Sequence, residues 1–260
     1  MAFSPPAKNP HLRRTKIMRA AQPKSDELID ILSPSLIEGK NLLSEFEVRR
    51  VVVEARKLPE RYQGLSIEGL VNIVNDKLED GYELMEIALA LAPSDVVSWG
   101  NYSRAVGNKG LHSKQMEILR RAVSLRDPTL LTEALVLGAF WVDMELLRKV
   151  VPMIESMEIE KTTAVTSSLA HYQKLLEYSD SIDELSRVAK AVMYVAEQHR
   201  IPSNFSQVDD DGEGLVAFSL LVNTDDVQYL RSLNDELMDR IIEMELENSQ
   251  CIGFFAPGGE

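Results

Sequence analysis

Cysteine is almost missing from this chain: one residue, Cys251, among 260. No internal disulfide framework can form, and such usage fits a reducing, cytoplasmic compartment. Long apolar runs are missing as well. Leu130 to Val142 comes closest, but Thr132 and Glu133 interrupt it, short of the roughly 18 residues that span a bilayer. No apolar stretch follows the basic N-terminus, so neither a secretory signal nor a transmembrane segment is expected.

Acids are missing from residues 1–24, which hold Lys8, Arg13, Arg14, Lys16, Arg19 and Lys24. That segment is +6 in a chain of −13, which leaves −19 on the remainder. A body that acidic repels phosphate backbones and argues against a nucleic-acid-binding core. The arm has the opposite preference. Arg13, Arg14, Lys16 and Arg19 suit an anionic partner, either nucleic acid or an anionic surface. Pro5, Pro6, Pro10 and Pro23 oppose a long helix there, so 1–24 reads as a flexible basic arm. Phe3 is its single aromatic, too few for base stacking.

The usual catalytic patterns are missing too. There is no Gly-x-Ser-x-Gly elbow, and Gly107 and Gly110 lack the Lys-Ser/Thr ending of a phosphate loop. His11, His112, His171 and His199 include no i, i+4 pair, and Cys251 has no cysteine partner for zinc. The acidic run from Asp209 to Gly214 invites a calcium-loop reading. With Gly212 in the glycine place, the first ligand would be Gln207 and the closing acid Phe218, so that reading fails. No enzyme, metal or cofactor is expected.

What the sequence has is helical punctuation. Ser25-Asp26-Glu27 starts a helix, and Ser33-Pro34 either ends it or begins another. Leu42 to Leu58 carries apolar residues at helical spacing and stops at Pro59. Pairs then follow: Ser66–Leu78 and Tyr82–Leu91 around an Asp80-Gly81 turn, then a helix capped by Ser94-Asp95 with Leu111–Leu125. Thr129–Trp141 with Met144–Met157 is a third pair, its second helix kinked or shortened at Pro152; Thr162–Tyr178 with Ile182–Arg200 is a fourth. Beyond Pro202 come an acidic loop, an apolar Leu215–Val222 that suits a buried helix or a lone strand, and an amphipathic helix from Val227, capped by Thr224-Asp225-Asp226. The expected division is 1–24 arm, 25–202 helical pairs, 203–247 loop and last helix, and 248–260 an irregular apolar tail.

Across Val96 to Pro128, Trp99 early in the first helix, Gly110 at the turn, Ala122 in the second helix and Pro128 at the close resemble the tetratricopeptide-repeat family. Leu65, Gly69, Ala88 and Pro93 sit at matching offsets one repeat earlier, and the likeness extends over about 62–158. Ser103 stands where that family prefers glycine, and Gln115 where it prefers alanine. The resemblance implies an all-α fold of stacked helical hairpins, either a solenoid or an irregular bundle, and it implies protein binding.

The leading expectation is therefore a non-enzymatic adaptor, chaperone or assembly scaffold with an acidic concave face for a basic peptide or helix. Trp99, Asn101, Tyr102 and Phe140 are its candidate lining. Phe254 and Phe255, in a Gly/Pro tail, either dock on the chain itself or join a partner or second copy. The alternative is a virion or nucleic-acid-associated structural protein that grips an anionic polymer through the arm.

Overall fold

The computed structural model describes residues 23–157, 159–202, 205–246 and 250–258. Among them are eleven α-helices: α1 (Lys24–Ile37), α2 (Glu45–Ala55), α3 (Arg61–Val74), α4 (Leu78–Leu91), α5 (Val96–Asn108), α6 (His112–Ala122), α7 (Pro128–Phe140), α8 (Met144–Ser156), α9 (Thr163–Glu177), α10 (Ile182–Gln198) and α11 (Val227–Glu243). Three strands, β1 (Phe205–Asp210), β2 (Val216–Val222) and β3 (Cys251–Pro257), form one sheet in the order β1-β2-β3. No helix of these residues is long and apolar enough to cross a membrane.

Short polar side chains start the helices. Ser44 and Glu47 form a reciprocal capping box on α2. Asp95, Asp127, Asp143, Thr162 and Asp226 each accept backbone N–H groups at the first turns of α5, α7, α8, α9 and α11. The ends share another device. Gly39, Asp76, Gly110, Val142, Arg200 and Glu245 all have left-handed backbone. After each, the next N–H reaches back five residues, as in Lys77 to Asn72 (3.0 Å), Leu111 to Val106 (2.9 Å) and Asp143 to Gly138 (2.8 Å). This arrangement satisfies carbonyls that a helix end leaves open.

Three of these turns build hairpins: α3/α4 on Asp76, α5/α6 on Gly110 and α7/α8 on Val142. The first helices α3, α5 and α7 stack on one another, and α4 and α6 each touch the first helix of the next pair. This serial packing is compatible with a helical-repeat fold. Helix α1 covers α3 and α5, and α2 leans on α3.

Several expectations need correction. The expected Asp80-Gly81 turn lies inside α4; the chain reverses at Asp76, because aspartate tolerates left-handed backbone. Gly81 is there for close approach: a Cβ on it would lie 2.7 Å from Ile73 Cγ1 and 3.1 Å from the Gly69 carbonyl. Pro34 lies inside α1, and α8 continues through Pro152 to Ser156. The fourth hairpin does not form as drawn: α9 packs on α7, while α10 packs on α6, α11 and the sheet.

The chain is also not all-α. Leu215–Val222 yields a strand paired on both sides, antiparallel to β1 and parallel to β3. The tail expected to be irregular supplies β3. The acidic run is the β1–β2 turn, where the Asp211 carboxylate accepts the N–H groups of Glu213 (2.8 Å) and Leu215 (3.0 Å), which lowers its pKa. One sheet face turns Val208, Val216, Phe218, Leu220, Cys251 and Phe255 into the core. On the two edge strands, Lys174 donates to the Val208 carbonyl, and the Asn234 amide both donates to and accepts from the main chain of Phe255.

The buried side chains form two clusters, one under α1–α5 and the other under α7–α11 and the sheet, and α6 belongs to both. Ile118 and Ala122 face the first, Met116 and Leu119 the second. We expect Gly81→Ala to destabilise the fold by about 1–3 kcal/mol through overpacking. Gly100→Ala, whose Cβ would meet only the Arg104 guanidinium at 3.8 Å, should stabilise it by about 0.5–1 kcal/mol. Urea unfolding midpoints of the two variants check this, and shifts of the same sign would remove the close-approach account.

Candidate functional site

The aromatic candidates are mostly packed rather than displayed. Trp99 is 7% exposed, donates from its indole N–H to the Pro93 carbonyl (2.9 Å) and lies under the Arg121 guanidinium at 5.0 Å. Arg121 in turn forks onto Glu86 at 2.7 and 2.8 Å, which joins α6 to α4 and holds the Glu86 carboxyl below its usual range. Tyr102 is fully buried, 6.1 Å from the Tyr82 ring, and Lys114 stands over both. Burial pushes the Tyr102 hydroxyl up and that of Tyr82 to about 12. These rings and cations join α4, α5 and α6.

Asn101 is half-buried and lines a cleft of about 110 Å³ between α1, α3 and α5, beside Asp26 and Asp95. Phe140 meets Trp141 edge-on at 4.8 Å, and its carbonyl accepts the Ser206 hydroxyl at 2.9 Å. Phe255 is buried beneath β3, while Phe254 is 37% exposed on the other sheet face. That face also carries Phe205 and Ile252, neither of which helical periodicity singled out; strand alternation identifies them once β1 and β3 are known. Arg13, Arg14, Lys16 and Arg19 lie outside the described residues.

A groove of about 610 Å³ runs across α5, α7 and the start of α9. Val136, Leu137, Ile159 and Val165 give it apolar walls, and Thr129, Thr132 and Glu160 a polar rim. Glu133 on α7 is its central charge. One carboxylate oxygen accepts the Ser103 hydroxyl at 2.6 Å. The other is buried without a hydrogen bond, though the Arg104 Nε lies 3.5 Å away.

The two departures from the repeat pattern meet here. Ser103, in place of glycine, supplies the hydroxyl that holds Glu133. Gln115, in place of alanine, lines the same groove and is accommodated by Gly107, where a Cβ would come within 2.3 Å of its amide. In the sequence Glu133 shows only as a break in an apolar run, since its partner Ser103 lies 30 positions away on another helix.

Behind the groove, α6 begins with a fully buried imidazole. His112 contacts the Ile201 carbonyl through Nε2 at 2.7 Å and stacks obliquely on Trp141 at 5.0 Å. Burial holds its pKa below the ordinary range, so the neutral ring donates from Nε2. No group of three His, Cys, Asp or Glu among the described residues is placed to hold a metal ion. No protein-family model, no curated protein and no solved structure matches this chain.

The lowered imidazole has a consequence for stability. Below the ordinary value of about 6.5 the unfolded chain takes up a proton at His112 that the folded chain refuses. Stability therefore falls as pH drops through 6.5 and levels off below the folded value. His112→Gln, whose amide can still donate to Ile201, should flatten that decline in urea midpoints between about pH 7 and 5. His171, also lowered by burial, retains part of the slope. An unchanged slope would mean that His112 is not held neutral.

Proposed function

We propose that this chain is a non-enzymatic protein-binding scaffold, an adaptor or assembly component acting in the cytoplasm, and that the α5/α7/α9 groove holds an extended segment of its partner. The observation that carries this reading is a groove with apolar walls that holds the Glu133 carboxylate, itself paired with Arg104 at 3.5 Å and with the Ser103 hydroxyl. An arginine or lysine of the bound segment would compete with Arg104 for Glu133, and Glu160 on the rim favours the same sign of partner. Apolar side chains on either side would enter against Val136, Ile159 and Val165.

Serially packed helix pairs suit such work, since the first helices line a shared face while the second helices brace it. The acidic charge of residues 25–260 supports a basic segment as occupant. The expected tetratricopeptide-like reading is kept in this form: stacked pairs that hold another protein, with the groove placed at the later pairs rather than at Trp99 and Tyr102.

Selection of peptides from a random displayed library on the full-length protein tests the proposal. Enriched sequences should share a basic residue next to apolar ones. Their affinity should fall about tenfold or more for Glu133→Gln, which keeps the side-chain shape and the Ser103 bond but removes the charge. Enrichment without basic residues, or binding indifferent to this change, would refute the groove as the site.

A further inference from the structure

Two helices of this chain carry a second apolar stripe on their solvent side, and the stripes have opposite charge. On α2, Phe46 is 74% and Val53 50% exposed, although the helix already buries Val51 and Ala55. Arg49 lies on one flank of that stripe and Arg50 on the other, with Glu45 and Glu54 beside them, and Lys57 follows just past the end of the helix. On α11, Met238 is 55% and Ile242 54% exposed, although Leu230, Leu233, Leu237 and Ile241 are the buried side. Asp235 and Asp239 flank this second stripe.

A helix at the edge of a fold needs one apolar face. A second, with a charged rim, marks a contact surface. The faces do not cover each other within one molecule: both are open, α2 packs on α1 and α3, and α11 packs on α10 and β3. Their charges are held only by local pairs on exposed or half-exposed side chains: Arg49 with Glu45 at 2.7 Å, Lys57 with Glu54 at 2.7 Å and Arg231 with Asp235 at 3.8 Å, with Arg50 acting on Glu47 and Glu54. An exposed pair of that kind is weak and gives way readily to a better partner.

We infer that the basic, apolar face of α2 on one molecule docks against the acidic, apolar face of α11 on a second copy of this chain. Phe46 and Val53 pack against Met238 and Ile242, while Arg49 and Arg50 meet Asp235 and Asp239. Because the two surfaces differ, the contact is head-to-tail. Each copy keeps one free face of each kind until a ring closes or a chain extends. The contact is independent of the Glu133 groove, which lies on other helices.

The test uses the full-length protein in analytical ultracentrifugation over a range of concentration and salt. Mass should rise with concentration and fall with added salt, which screens the charged rim. The reversals Arg49→Glu/Arg50→Glu and Asp235→Lys/Asp239→Lys should each weaken association by about tenfold or more, with melting curves unchanged. Mixing the two reversed proteins restores complementary faces and should restore association; so should placing all four substitutions in one chain. A native protein that stays monomeric throughout overturns the proposal. So does a reversal without effect, or a mixture that fails to recover.

Discussion

The helical part of this molecule depends on one backbone constraint, a single left-handed residue at each reversal. Asp76, Gly110 and Val142 occupy it in the three hairpins, spaced 34 and 32 residues apart. With the connection fixed at three residues, each second helix must return along its partner, and the apolar stripes face the same way. Glycine takes this conformation at little cost, but only one of the three hairpins uses it. Val142 is the expensive case, since a β-branched residue there costs about 1–3 kcal/mol. Its surroundings hold it in place: the side chain is fully buried, and its carbonyl accepts the Ser186 hydroxyl at 2.8 Å. Neighbouring reversals are tied as well, for the buried Lys109 ammonium reaches Asp76 at 2.8 Å and the Gly39 carbonyl at 3.0 Å.

That constraint explains which parts of the fold could be read in advance. Helix starts were legible because Asp95, Thr162 and Asp226 cap them by local chemistry that survives any tertiary context. The first hairpin turn was misplaced because Gly81 looks like a turn glycine, whereas Asp76 does that work and Gly81 lets two backbones approach. Strands were hidden for a different reason. β1 is acidic and mostly exposed, and β3 mixes glycine, two phenylalanines and proline, so neither alternates cleanly in the sequence. Their pairing is non-local, and only the register with β2 gives it meaning.

The site followed the same division. Trp99 and Tyr102 were visible as large residues at repeat positions, but nothing local announced that Arg121 and Lys114 would roof them. Glu133 was one acid among many until the fold placed Ser103 against it. Helix α6 links these observations. It supplies the cations that pack the aromatics on one side, Gln115 to the groove, and His112 to the interior on the other. Under the proposed function, a segment bound in the groove would press on a helix that contributes to both cores.

The Asn234 amide has a role beyond the bonds it makes. By giving and taking one bond at Phe255, it imitates the peptide group of a fourth strand, and Lys174 does half as much at Val208. Open strands recruit further strands, including those of other molecules, and natural sheets commonly close such sites with side chains. An aspartate at 234 could still accept the Phe255 N–H but could no longer donate to its carbonyl, which would leave half of that edge unmet. Two side chains on helices thus occupy edge positions where a further strand could pair with the sheet of the described residues.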